Sequence, residues 1–339
     1  VGAAAAGVLA ARPAAAAPAR GGLPAVTRPA RLAPGDTVGL IDPASATFVR
    51  QDVEIVTDVL QAMGFRVKRG AHLMDRYGYM AGRDADRAAD VSALFADREV
   101  KGILAVRGGW GSARLLPYLD FEVIRGNPKV LLGYSDLTAL LNAVHARTGL
   151  VTFHGPVGIS TWTPFSVEHM RRLLVDAEAL TLANPVEAKD TLVPVTDRVQ
   201  TITPGVARGK LLGGNLTVLS ALAGTPFLPD FAGAILFLED VREQIYRIDR
   251  MLTQLALAGI LRQVSGVVIG KCTECDPGEG YGSLTLEEVL DDHLKPLGVP
   301  AWQGAMIGHI DRQFTVPIGL TAEIDAGRGT IRLLEPAVA

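Results

Sequence analysis

Ser135 lies in Gly133-Tyr134-Ser135-Asp136, between an apolar run at 130–132 and a helix-patterned segment at 137–147. A serine at a sharp strand-to-helix turn exposes its hydroxyl beside the free N–H groups of a helix start, which can stabilise an oxyanion. The setting is analogous to the nucleophile elbow of α/β-hydrolases, although the G-x-S-x-G pattern is absent. The plainer alternative is that Ser135 is a helix N-cap. A nucleophilic serine also needs a base, and the base needs an acid to hold its tautomer and stabilise its cation. Glu239-Asp240 follow the strand-like run AILFL at 234–238, where an acid points into a crevice or pairs locally with Arg242 or Arg247. Of the six histidines, His309 follows Gly308 in an apolar neighbourhood, and His154, ending a strand, competes with it. His145 and His169 read as helix-surface residues, and His72 and His293 carry no further signal. The order Ser135, Glu239, His309 is the chain order of α/β-hydrolase triads.

A second group is Arg107-Gly108-Gly109-Trp110-Gly111, after the strand-like run GILAV. Glycines there let the backbone approach a ligand and present N–H groups. An oxyanion cradle fits, whereas the dinucleotide fingerprint and the phosphate-loop Lys-Ser/Thr are both missing. Cys272 and Cys275 are the two cysteines, in C-x-x-C spacing. A structural zinc needs four ligands, and no second pair accompanies them.

These residues need a scaffold. Strand patterns at 37–41, 65–68, 102–106, 130–132 and 151–154 alternate with helix patterns at 53–63, 85–96 and 137–147. That alternation predicts a parallel sheet covered by helices on both faces, with 151–154 closing the series. After a helix at 169–175 and a polar stretch at 184–194, strands are expected at 209–212, 234–238, 266–269, 320–324 and 330–334. Helices are expected at 216–223 and 245–258. The domains read as a leader at 1–30, an N-terminal α/β domain at 31–165 with Ser135, a connector at 166–200, and a C-terminal domain at 201–339 with Glu239 and His309.

The 339 residues carry a net charge of −3 and 48% hydrophobic residues, and no concentrated basic run suggests nucleic acid as a partner. Residues 1–11 are apolar and uncharged, followed by Arg12-Pro13 and an Ala/Pro stretch in which Ala17-Pro18-Ala19 fits a small-residue cleavage site. Export, to the periplasm in particular, is therefore expected, with a disordered extension of a cytoplasmic protein as the alternative. No segment is apolar for long enough to span a bilayer.

Six blocks together resemble the LD-carboxypeptidases, which include muramoyl-tetrapeptide carboxypeptidases and microcin C immunity hydrolases. They are RGGWG-x-x-R-L-L-x-x-L-D, GYSDLTALL, GGNL (213–216), LFLEDV (236–241), YRIDRML, and GH with P-x-G at 308–319. YGYMAGRDADRAADV at 77–91 fits the same family, and the likeness runs from about 32 to 334. The resemblance implies a flavodoxin-like parallel-sheet N-terminal domain and a smaller mixed β/α C-terminal domain. It implies a serine peptidase with Ser135 as nucleophile, Glu239 as acid and His309 as base. The oxyanion hole would come from the N–H groups of Asp136 and of Gly108 and Gly109. It implies no metal or organic cofactor, a homodimer, and a murein tetrapeptide substrate that loses its terminal D-Ala. Arg107 is the candidate for the substrate carboxylate, and Trp110 and the segment 160–165 are candidates for shaping the pocket. An aminoacyl-nucleotide amide of the microcin type is the alternative substrate. A non-catalytic envelope binding protein is the rival from another class, and it would not need Ser135 and His309 within hydrogen-bond reach.

Overall fold

A computed structural model describes residues 24–186, 192–193, 195, 197–277 and 282–339. The expected cleavage site and most of the leader lie outside the described residues.

The first half runs β1 (Thr37–Ile41), α1 (Arg50–Ala62), β2 (Arg66–Arg69), α2 (Asp84–Ala96), β3 (Val100–Ala105), α3 (Ser112–Leu115), α4 (Phe121–Gly126), β4 (Val130–Gly133), α5 (Thr138–Thr148) and β5 (Thr152–His154). The chain continues as α6 (Pro164–Leu174), β6 (Thr181–Ala183), β7 (Gln200–Thr203), β8 (Val206–Asn215), α7 (Leu216–Ala221), β9 (Ile235–Val241), α8 (Ile245–Leu257) and β10 (Gly266–Thr273). It ends with α9 (Leu286–Leu294), β11 (Ala301–Gln303), β12 (Val316–Ile318), β13 (Thr321–Asp325) and β14 (Thr330–Leu333).

The periodicities explain the elements. Helix α1 buries Val53, Val56 and Leu60, and α8 buries Ile245, Ile248, Leu252 and Leu255, each at helical spacing. Strands β1 and β4 are buried along their whole length, as strands covered on both faces must be. The fold is mixed α/β. Strands β2, β1, β3, β4 and β5 lie parallel in that order, the doubly wound flavodoxin-like order. The second sheet runs β6-β14-β13-β8-β9-β10-β11-β7, with β8 to β11 parallel and the outer strands antiparallel.

Four differences from the sequence reading have physical causes. Strand β5 does not close the first sheet, because β12, from far along the chain, pairs antiparallel with it through Val316–His154 and Ile318–Thr152. Strands β6, β7, β11 and β12 are only three or four residues long, too short to show a period. Helix α9 was missed, although Thr285 and Glu288 form a capping box that announces its start. Residues 27–31, read as the end of the leader or its edge, join the fold. The Thr27 N–H donates to Gly149 O at 2.9 Å, and the N–H of Ala339 donates to Pro29 O at 2.8 Å. No helix among the described residues is long and apolar enough to cross a membrane.

Candidate active site

Strand β4, paired on both sides, delivers Ser135 just beyond its carboxyl end. The residue occupies the left-handed region, with φ of 63°. That conformation is rare for a residue with a side chain and is stored where the surroundings over-determine it. A short 3₁₀ turn, Ser135–Leu137, then leads into α5. The close neighbour is Gly108, where a Cβ would lie 3.1 Å from that of Ser135. A side chain at position 108 would press on Ser135, so glycine there favours the close approach of the strip after β3.

Glu239 is not beyond its strand, as the apolar run suggested, but inside β9, opposite Asn215 of β8. It is 1% exposed. Its Oε2 lies 2.8 Å from Nδ1 of His309, and Nε2 of His309 lies 3.0 Å from Oγ of Ser135. An ionised carboxylate only accepts, so the Nδ1 proton points to Glu239 and Nε2 is left to accept from the serine hydroxyl. Burial pushes the Glu239 carboxyl up, and the hydrogen bond from His309 pulls it back. Gly308 (φ 123°) makes the approach possible, since a Cβ there would lie 2.8 Å from Oε2 of Glu239. Ser135 is therefore not acting as a simple helix cap: its hydroxyl faces His309.

The neighbouring acid, Asp240, has a different task. Its oxygens accept from Asn215 Nδ2, from the Thr217 N–H and from the Thr217 hydroxyl, tying the start of α7 to β9. The local ion pairs considered for this dyad form elsewhere, Arg242 with Glu274 and Arg247 with Glu243.

The other histidines separate clearly. His154 is fully buried, edge-on to Phe237 at 5.4 Å and Tyr134 at 6.0 Å. Neither of its ring nitrogens has a hydrogen-bond partner among the described residues, and burial pushes it down to about 3. It is a neutral packing residue, one layer behind the site. His145 is buried, not on a helix surface as its sequence setting suggested, and its Nδ1 lies 3.0 Å from Leu150 O. Helix α5 is buried on nearly every side, so no polar face marked that side chain as inward. His169 is half-buried against Phe165 and Phe314. His72 pairs with Asp75, and His293 with Asp249.

Asp136 turns its carboxylate away from Ser135, to accept from the Ser112 N–H at 2.7 Å. Gly109 packs on Ser45, whose Oγ accepts from the Trp110 N–H at 3.0 Å. Arg107 is half-buried, its Nη1 donating to Ala46 O at 3.2 Å, with its charge beside Asp42. Trp110 is half exposed, with Tyr79 edge-on at 5.4 Å. Neither Arg107 nor Trp110 lines the pocket of about 500 Å³ that opens beside His309, whose walls include Tyr134, Ser160, Thr161, Asp311 and Gln313. Of the segment 160–165, Ser160 and Thr161 do line it.

Sequence reasoning missed Asn215, Tyr134 and Ser45. Tyr134 packs 4.9 Å from the His309 ring, and burial pushes its phenol up. The GGNL and GYSD blocks contained two of these residues, but nothing in either block distinguished support from chemistry. Cys272 and Cys275 are free thiols; the hydrogen bond with Cys275, and then burial, push Cys272 up, and Cys275 is drawn down by Cys272.

Two family models match the chain: the LD-carboxypeptidase N-terminal domain over residues 38–155 and the LD-carboxypeptidase C-terminal domain over 208–324. A probable murein peptide carboxypeptidase of Bacillus subtilis (strain 168) is 39% identical over 308 residues, 89% of this chain and 93% of that protein. A murein tetrapeptide carboxypeptidase of Pseudomonas aeruginosa is 34% identical, covering 86% of this chain and 94% of that one. The solved structure of MccF in complex with glutamyl sulfamoyl guanosine superposes with a TM-score of 0.83 at 27% identity, covering 92% of this chain and 99% of that chain.

Proposed function

Since this chain belongs to the LD-carboxypeptidase family, we propose that it releases the terminal D-Ala of murein tetrapeptides by acyl transfer through Ser135, His309 and Glu239. One observation carries the reading: a continuous hydrogen-bonded chain from Oγ of Ser135 through His309 to the buried Glu239, with groups drawn from both sheets. In the proposed course, Nε2 of His309 takes the Ser135 proton as Oγ attacks the carbonyl of the L-configured diamino acid. Glu239 stabilises the imidazolium that results. The N–H groups of Asp136 and of Gly108 and Gly109 are the proposed donors to the oxyanion. His309 returns the proton to the departing D-Ala nitrogen, and water then enters by the same base to free the acid. Export and a homodimeric assembly belong to the same proposal.

The purified protein should release D-Ala from murein tetrapeptide. Ser135→Ala should lower kcat by about 10⁴-fold or more. Glu239→Gln, which keeps a side chain of the same shape, should cost about 10³–10⁴-fold because the imidazolium loses its counter-charge. Unchanged rates in Ser135→Ala would remove that residue from the chemistry. The likeness to MccF supports a second reading, hydrolysis of aminoacyl sulfamoyl nucleosides. Turnover of those compounds without D-Ala release would replace the tetrapeptide reading with it. The 3.0 Å contact between Ser135 and His309 counts against a purely binding role.

A further inference from the structure

The proposed chemistry leaves a pair of nucleophilic side chains unused, Cys272 and Cys275. Cys272 lies near the end of β10, in register with Asp240 of β9, the residue after Glu239. Strand β10 also borders the His309 loop. Lys271 N–H donates to Ile307 O at 2.8 Å, and a Cβ on Gly308 would lie 3.1 Å from Lys271 O. The pair therefore sits at a strand end that touches the flanks of both Glu239 and His309.

The local fold brings the two sulfurs together. Glu274 takes the left-handed conformation, with φ of 55°, and turns the chain back at the end of β10. Arg242 N–H donates to Thr273 O at 2.9 Å and Ile245 N–H to Asp276 O at 3.1 Å, so the turn is pinned to the segment after β9. Sγ of Cys275 folds back toward Thr273 O at 3.6 Å, and the two thiols hydrogen-bond to each other. A disulfide needs Cα atoms about 4.4–6.8 Å apart, and a four-residue turn spans less than about 7 Å. Both cysteines are partly exposed, within reach of a small reagent. Among the described residues, no third ligand side chain joins the two sulfurs in a metal-binding group, and two ligands fall short of a structural metal site.

The two thiols are not equivalent. The hydrogen bond with Cys272 and the Glu243 N–H draw the Cys275 thiol down, against burial and the charges of Asp240 and Glu243. Cys272 is pushed up by the same hydrogen bond and by burial. The thiolate is the nucleophile, so Cys275 is the attacking sulfur and Cys272 the resolving one.

We propose that Cys272 and Cys275 form a redox-active dithiol that exchanges with a small-molecule disulfide and closes to an intramolecular bond beside Glu239. The Cys275 thiolate attacks one sulfur of the reagent. The reagent's S–S bond breaks, and the leaving thiolate takes a proton. Cys272 then gives up its proton and attacks Sγ of Cys275, and the second thiolate leaves and is protonated in turn. The protein loses two electrons and two protons, and the reagent becomes two thiols. Ser135 and His309 take no part, so the inference stands apart from the choice of peptide substrate.

The test equilibrates the full-length protein with oxidised and reduced glutathione at set ratios. Free thiols are trapped with iodoacetamide, and mass spectrometry reads the peptide that carries both cysteines. The wild type should lose both trappable thiols and two hydrogen atoms, without holding a glutathione adduct. Cys272→Ser should stop at a glutathione adduct on Cys275, and Cys275→Ser should react about tenfold more slowly. The same titration in urea gives the unfolded chain's own tendency. The native protein should close at an oxidised-to-reduced ratio about tenfold lower, because its turn already holds the sulfurs together. A lasting adduct on wild-type Cys275, or two thiols that persist in excess oxidised glutathione, would overturn the proposal. So would a faster reaction in Cys275→Ser than in Cys272→Ser, or equal closure in the native and unfolded chains.

Discussion

Single residues at this site are held in states they would not adopt in water. Asp42 is a clear case, next to the Arg107 strip. Burial pushes its carboxyl up to about 7, against the opposing pull of the Thr47 hydroxyl and the Arg107 charge. The sign for stability follows. A carboxyl near 4 in the unfolded chain and near 7 in the fold binds its proton more tightly when folded. Its contribution is fully present below about pH 4 and is lost as pH rises through 7. Asp42→Asn stays neutral throughout and can still accept from Thr47. Between pH 5 and pH 8 its melting temperature should therefore fall less than that of the wild type, as calorimetry at the two values would show. Identical pH profiles would mean that Asp42 is not the source.

Among the elements, β8 stands out because it ties the second sheet to helix α5, which packs on the first. It pairs with β9 and β13, and its end lies against α5 of the other layer. Asn142 Nδ2 donates to Gly213 O at 2.8 Å, and the Asn215 N–H donates to Thr138 Oγ1 at 2.9 Å. Gly213 has φ of 147°, and a Cβ there would sit 1.8 Å from Phe237 O, in the backbone of the strand that carries Glu239. That overlap involves main chain, which cannot rotate away. Gly213→Ala should cost about 3 kcal/mol or more of stability, measured by urea unfolding. A loss under 1 kcal/mol would show that β8 and β9 separate more easily than their packing suggests. The GGNL block was visible in the sequence, but its strand looked as if it ended before the glycines. Glycine usually interrupts a strand pattern, and here it permits close approach.

At the scale of the whole molecule, the two sheets are laced together. Strand β12 crosses to pair with β5, and the segment around Arg31 is tied to the last residue by Arg31 N–H donating to Ala339 O at 3.0 Å. Separate unfolding would have to break these ties and expose the buried end of β8. We expect one cooperative transition. Trp162 reports from the connection between β5 and α6, and Trp302 from β11 of the second sheet. In variants that keep only one of these tryptophans, the fluorescence and far-ultraviolet circular dichroism transitions should coincide. A fluorescence change that precedes the circular dichroism change would show that the sheets unfold one at a time.

The sequence by itself determined what depends on local order. Apolar period set the long helices and buried strands, turn residues set their ends, and the residues flanking those ends gave Ser135, Glu239 and His309 as candidates. Tertiary structure decided the rest, because contact between residues 174 and 70 positions apart has no local signature. Only the packed sheets show that His309, and not His154, reaches Ser135. Both histidines end or follow apolar runs, but one is sealed behind Tyr134 and Phe237. Only the fold shows that Glu239 and Asp240, adjacent in sequence, face opposite tasks, since successive residues of a strand point to opposite sides. The Ser135 elbow itself needed both levels. Its strand and helix were legible in the chain, while the left-handed turn between them is held by the neighbours that folding brought against it.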